Sequence, residues 1–236
     1  MAGTVVRWNG FTFVSWWREN HSGRVFTHAQ TTRRVVALTI DDGPDPAYTP
    51  RVLDILNHYG AHATFFEEGK MVRLYPELAR RTLREGHVIG NHTFNHPYIE
   101  RMDRRGVQNE IDGCEQAITA ATGMHTGLFR PPRGAWNPTI FAEVERHNSR
   151  IILWSVALEH EATPTPQQMA DRVLSQIRPG YIILMHDGVY PPRESSVRAL
   201  PILLEGLRKQ GYTVVTIPEL LGLPGNSPEP IKSKGV

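Results

Sequence analysis

The sequence predicts an α/β fold in which parallel strands, each followed by a helix, close into a barrel of the TIM type. Three observations carry that expectation. Runs of five or six residues, such as Val35 to Ile40 and Ile151 to Val156, are apolar without alternation, the pattern of strands covered on both faces. Segments of helical period separate these runs, so successive strands are joined by crossovers rather than hairpins. Seven such units fit in 236 residues, a length that barrels commonly use as one domain. No Gly-x-Gly-x-x-Gly follows the first strand, which removes the familiar cofactor signature of an open doubly wound sheet.

Residues 1–22 show no assignable pattern and Gly23 to Gln30 make a short edge strand, so 1–30 is expected to be an extension ahead of a single main domain at 31–221. Val35 to Ile40 is the first core strand. Thr49 as N-cap and Pro50 at the first helical position open a helix with Val52, Leu53, Leu56 and Tyr59 on one face, closed by Gly60. Ala63 to Phe66 is the second strand, and the helical stretch that runs on to Arg84 is interrupted or restarted at Pro76. His87 to Gly90 is the third, followed by a polar loop from Asn91 to Tyr98 and by Val107, Ile111, Cys114, Ile118 and Ala121 at helical spacing. Leu128 to Arg130 is a minimal fourth strand, stopped by Pro131-Pro132. Asn137-Pro138 and Thr165-Pro166 start helices on either side of the fifth strand, Ile151 to Val156. Tyr181 to Met185 is the sixth. A helix from about Ser195 to Gln210 stops at Gly211, Tyr212 to Ile217 is the seventh strand, and residues 222–236, rich in Pro, Gly, Ser and Lys, read as a flexible tail.

Lys and Arg number 26 against 24 acids, a net charge of +2, and no basic run or helix face marks a nucleic-acid partner. Cys114 is the single cysteine, which excludes an internal disulfide and a zinc site built from several thiolates. No stretch approaches the roughly 20 apolar residues that span a membrane. Composition leaves the oligomeric state open.

The polar clusters fall at strand exits. Asp41-Asp42-Gly43-Pro44 ends the first strand; neighbours on a strand point to opposite faces, but a turn at its end lets the second acid swing inward, so both carboxylates can serve one site. On a helical turn His92 and His96, four residues apart, would share one face and could share a metal. Each feature alone has a plainer reading, since Asp-Asp-Gly-Pro is an ordinary turn and 11 histidines make chance pairs common. Position decides between the readings. Arg130 ends the fourth strand and His186-Asp187 the sixth, and in a parallel barrel these ends open on the rim where barrel enzymes carry their active sites. Trp154, inside an apolar strand, reads first as core. His21, His28, His58, His62, His87, His125 and His147 fit no motif and read as structural or solvated.

Through these clusters the chain resembles the polysaccharide deacetylases, also called the NodB-homology domain or carbohydrate esterase family 4. The resemblance covers about residues 35–217. Thr39-Ile40-Asp41-Asp42-Gly43-Pro44 is similar to the first family motif, with Ile40 where Phe is usual; His92-Thr93-Phe94-Asn95-His96 to the second; Arg130-Pro131-Pro132-Arg133-Gly134 to the third; and Leu184-Met185-His186-Asp187 to the last. It implies a distorted (β/α) barrel of seven to eight strands and a hydrolase that removes acetyl groups from N-acetylated sugars such as peptidoglycan or chitin oligomers, secreted or in the cell envelope. It further implies a divalent metal, most often zinc and sometimes cobalt, nickel or iron, held by Asp42, His92 and His96. Asp41 would be the general base, Arg130 its orienting partner and His186 the general acid, with Trp154, Leu184 and Pro131 against the substrate.

One motif departs from the family. After the strand at Trp154 the family usually places Asp residues and a second Trp, one Asp pairing with the catalytic His; here Ala157 and His160 stand near those places, and Glu159 or Glu161 is the expected substitute. Other readings of the same residues are an O-acetyl esterase on acetylxylan, an ArnD-like deformylase of a lipid-linked sugar, and a non-catalytic metal- or carbohydrate-binding relative. A non-haem iron oxygenase shares the two-His, one-carboxylate set, but Asp41 and His186 fit hydrolysis better. The choice of glycan lies in loops such as Asn91 to Arg105 and Gly188 to Ser196.

Overall fold

The computed structural model describes residues 5–8, 11–14, 23–160, 165–188 and 193–226. Where the sequence shows no pattern, β1 (Val5–Trp8) and β2 (Phe11–Val14) pair as an antiparallel hairpin. The other described strands form one parallel sheet: β3 (Val25–Phe26), β4 (Val35–Asp41), β5 (Thr64–Glu67), β6 (Val88–Asn91), β7 (Leu128–Phe129), β8 (Arg150–Ile152), β9 (Val156–Ala157), β10 (Ile182–His186) and β11 (Thr213–Val215). Its order is β3-β8-β7-β6-β5-β4-β10-β9, with β11 beside the first half of β4. The helices are α1 (Thr49–Tyr59), α2 (Gly69–Leu74), α3 (Pro76–Arg84), α4 (Arg104–Thr122), α5 (Pro138–Arg146), α6 (Pro166–Gln176), α7 (Glu194–Lys209) and α8 (Ile217–Leu221). None is long and apolar enough to cross a membrane.

Alternation along the strands sorts residues between two faces. Val36, Leu38 and Ile40 of β4 pack outward with Phe65 against α1, α6 and α7. Ala37, Phe66, Leu128, Ile152 and Ile182 point into the barrel, where Ile217 at the start of α8 plugs the lower end. Thr39 and Asp41 therefore also face inward, and Asp41 arrives buried at the upper rim.

The sequence predicts one fifth strand, but the chain breaks into β8, beside β3 at one end of the sheet order, and β9 at the other end. The reason is a change of partner. Leu153 N–H donates to Phe26 O of β3 at 2.7 Å, whereas Ser155 N–H donates to Ile182 O of β10 at 2.9 Å. Ser155 Oγ completes the crossing by donating to Thr27 O at 2.6 Å and accepting from Ile182 N–H at 3.1 Å. The distorted barrel closes through this single run.

Two further expectations give way. Thr49 is not the N-cap; Tyr48 holds that place without a side-chain bond, while Asp45 Oδ1 accepts the N–H groups of Ala47 and Tyr48 at 2.8 and 3.0 Å. Thr49 Oγ1 is engaged elsewhere, donating to Asp187 Oδ2 at 2.5 Å. The seventh strand stops at Val215, because Thr216 and Glu219 form a capping box that turns the chain into α8. Residues 227–236 of the expected tail lie outside the described residues, but Asn226 is anchored. Its Oδ1 accepts Ile89 N–H and its Nδ2 donates to Ile89 O, both at 2.9 Å. β7 meets β6 only at Asn91↔Phe129, so the amide side chain satisfies backbone groups of Ile89 that the short strand does not reach. Asn226→Ala should therefore lower the unfolding free energy by about 1–3 kcal/mol, read as a lower urea midpoint at unchanged m-value; an unchanged midpoint would mean that this anchor adds nothing to the sheet.

Candidate active site

Arg130, just beyond β7, is fully buried in the barrel. Burial depresses the pKa of a guanidinium, and the Asp41 carboxylate opposes that shift; the group stays cationic, as arginine does in proteins. Its Nη1 donates to Asp41 Oδ1 at 2.7 Å and to Thr39 Oγ1 at 2.8 Å. Nε donates to Ile152 O at 2.9 Å and Nη2 to Leu153 O at 3.1 Å, the carbonyls exposed where β8 breaks. The cation also lies 4.2 Å above the centroid of Phe66. One oxygen of Asp41 is thereby occupied, and its Oδ2 lies 3.8 Å from His92 Nε2.

Asp42 turns inward through a left-handed backbone, φ 76°. The fit is tight: a Cβ on Gly188 would come within 2.4 Å of Asp42 Cβ, so glycine is required opposite it. His92 follows β6, and its Nδ1–H donates to Arg130 O at 2.7 Å, which aims the Nε2 lone pair at Asp42. Thr93 and His96 are also left-handed, at φ 69° and 56°, folding the second imidazole back over the first. His92 Nε2 and His96 Nε2 stand 3.5 and 3.7 Å from Asp42 Oδ1, and the three donor atoms lie within 4.8 Å of one another. Bonds of 2.0–2.2 Å to a tetrahedral ion space its ligands by about 3–3.5 Å.

Electrostatics favours a cation at that point. Burial raises the pKa of Asp42, but the facing His92 ring and the charges of His186 and His96 outweigh it and hold the carboxyl well below the usual range. Burial lowers His92, yet Asp41 and Asp42 more than reverse it, and His92 ends above its ordinary value. His96 is pushed down to about 4 by burial and by His92, against the pull of Asp42. Asp42 Oδ1 is buried without a hydrogen-bond partner among the described residues, while Oδ2 accepts from Arg193 Nη2 at 3.2 Å. A lone buried carboxylate oxygen facing two imidazoles fits a divalent metal.

His186 ends β10 in register with Asp41. Its N–H donates to Glu159 Oε1 at 3.0 Å and its Nδ1–H to Glu159 Oε2 at 3.2 Å. Burial lowers the His186 pKa, but Glu159 first, then Asp42 and Asp41, carry it above the ordinary value. Glu159 thus stands where a partner for His186 is required; Glu161 lies outside the described residues. Beneath the rim, Asp187 is fully buried, its Oδ2 bound by Thr49 and its Oδ1 without a hydrogen-bond partner among the described residues. Burial pushes it up to about 7, with Thr49 opposing and Asp42 and Asp45 adding. Leu184 and Pro131 are buried below His186 and beside Arg130, and the Trp154 ring lies half-buried with its centroid 5.7 Å from the Arg130 cation.

Thr39, Thr49 and Arg193 escaped the sequence reading. Thr39 and Thr49 sit beside the Asp motif and look like ordinary strand and cap residues, and no local signal ties Arg193 to Asp42, 151 positions away. Three other histidines have structural partners: His87 Nδ1 accepts from Ala63 N–H, His125 faces Glu115 and His147 faces Asp112. Cys114 is free and buried.

Residues 28–152 match the family model for polysaccharide deacetylase. The peptidoglycan-N-acetylglucosamine deacetylase of Bacillus cereus is 38% identical over 203 residues, 85% of this chain and 94% of that protein. A chitooligosaccharide deacetylase of Bradyrhizobium is 37% identical over 199 residues, 79% of this chain and 90% of its own. Among solved structures, a peptidoglycan N-acetylglucosamine deacetylase superimposes with a TM-score of 0.84 at 30% identity, covering 89% of this chain and 98% of its own. A family 4 carbohydrate esterase pseudoenzyme from Bacillus anthracis gives 0.78 at 29% identity, covering 86% and 70%. With its distorted barrel and its Asp-His-His cluster at the rim, the chain belongs to the polysaccharide deacetylase family.

Proposed function

We propose that the protein is a zinc-dependent deacetylase of N-acetylated sugars, hydrolysing the acetamide of an N-acetylglucosamine-containing glycan such as peptidoglycan or a chitin oligomer. The observation that carries this reading is the division of two adjacent carboxylates between two tasks: Asp42 offers a bare oxygen to the imidazoles, while Asp41 is kept apart by Arg130. The names of the relatives, peptidoglycan and chitooligosaccharide deacetylases, support the substrate class. The family also contains a pseudoenzyme of which a mutant has restored activity, so the fold alone does not decide turnover.

Asp42, His92 and His96 would hold the metal, which when bound polarises the acetyl carbonyl and acidifies water. Asp41 accepts the proton of the attacking water through Oδ2, since Arg130 occupies Oδ1 and fixes the carboxylate plane. His186, its Nδ1–H tied to Glu159, presents Nε2–H to the departing nitrogen. Trp154, Leu184 and Pro131 shape an apolar recess for the acetyl methyl.

Acetate release from N-acetylglucosamine oligomers tests this. A chelator should abolish it, and zinc, cobalt or nickel should restore it to the native protein but not to Asp42→Ala; activity that survives complete metal removal would overturn the reading. Asp41→Asn should lose about a hundredfold or more in kcat while still binding metal, and metal content separates lost chemistry from a lost fold. Glu159→Gln removes the main cause of the raised His186 pKa. A general acid is lost above its pKa, so the alkaline limb of the pH–rate profile should move to lower pH; a limb that stays put would exclude Glu159 as the partner.

A further inference from the structure

The catalytic roles leave Arg193 unassigned, although it reaches the centre of the site. It is the N-cap residue of α7, only 7% exposed, and its Nη2 donates to Asp42 Oδ2 at 3.2 Å. The helix end that carries it is firmly seated. Arg51 of α1 donates to both oxygens of Glu194, at 2.7 and 3.0 Å, and Val197 N–H donates to Arg193 O at 2.9 Å. One turn on, the Ser196 hydroxyl hydrogen-bonds Glu159, the carboxylate that holds His186. Residues three apart lie side by side on a helix, so one turn of α7 touches both Asp42 and the support of the general acid.

In Asp42 a single torsion is left to fix. Its backbone is set in the left-handed region, φ 76°, and its Cβ lies so close to Gly188 that a Cβ added there would come within 2.4 Å. The bond to the carboxylate carbon is different, because that torsion of an aspartate is broad and roughly twofold. In one setting a single oxygen faces the imidazoles; in another both oxygens reach the same point and the carboxylate chelates. Here Oδ1 lies 3.5 and 3.7 Å from Nε2 of His92 and His96, whereas Oδ2 is drawn away to Arg193. Arginine suits this task. A guanidinium keeps its protons in proteins, so it holds the oxygen as a donor and never competes as a ligand.

We propose that Arg193 is a positioning residue that keeps Asp42 a one-oxygen ligand: by holding Oδ2 it confines the metal to Oδ1 and leaves the remaining coordination positions open. A second oxygen from Asp42 would fill one of the positions that water and the acetyl carbonyl need. The consequence for turnover rests on the deacetylase reading. The mode of coordination does not, and it is read without substrate.

Cobalt(II) is the probe, because its visible absorption weakens as ligands are added. Arg193→Met keeps the apolar stem and removes the donor; it should still bind cobalt but show a weaker visible band than the native protein. Arg193→Lys, which retains a charged donor, should return towards the native band. In acetate release from N-acetylglucosamine oligomers Arg193→Met should lose about ten- to a hundredfold in kcat with KM little changed. Arg193→Gln, too short to reach Oδ2, carries the test if Arg193→Met does not fold. An unchanged or stronger band, or a folded variant that no longer binds cobalt, would overturn the assignment. A weaker band in a protein whose native form releases no acetate would refute the deacetylase reading and leave the role of Arg193 standing.

Discussion

The buried pair between Arg130 and Asp41 is the constraint on which the upper barrel depends. A guanidinium removed from water needs its donors filled, and breaking such a pair by deleting one member costs about 3–5 kcal/mol. The chain meets that demand by opening its sheet: β8 stops where it does because the carbonyls of Ile152 and Leu153 turn inward to Arg130. The guanidinium of Arg130 grips Asp41 and the carbonyl of Arg130 accepts from His92, so one buried residue sets the position of both the carboxylate kept off the metal site and an imidazole aimed at it.

The second feature is the unequal treatment of Asp42's two oxygens. Arg193 takes one, and among the described residues none hydrogen-bonds the other. A carboxylate stripped of water on one side, between two imidazoles, binds a proton or a metal; its strongly lowered proton affinity favours the metal. His96, pushed down to about 4, is neutral at physiological pH and meets the same requirement, because a metal ligand must give up its proton.

Much of this was legible in the sequence. Unbroken apolar runs ending in polar residues announced parallel strands and one functional rim, and the clusters at 41–42, 92–96, 130 and 186 meet there. What could not be read depended on partners far along the chain. Thr49-Pro50 is a sound helix start by local rules, but its hydroxyl is claimed by Asp187, 138 residues away. Glu159 and Glu161 were equivalent candidates because the backbone course after β9, not composition, decides which side chain meets His186. The break in the fifth strand and the anchoring of Asn226 were invisible for the same reason: each repairs a backbone hydrogen-bond deficit that only the assembled sheet creates.

The crossing at Leu153 to Ser155 has a consequence outside catalysis. A curled sheet that stopped short would present two rows of unpaired amides, and such edges recruit strands from other molecules. Here one run of chain belongs to both borders, and the antiparallel bridge between His28 and Tyr181 fastens the seam from the other side. The device that lets carbonyls turn toward a buried arginine also takes both borders out of reach as templates, so the closed seam and the shape of the rim come from one short run, Ile152 to Ser155.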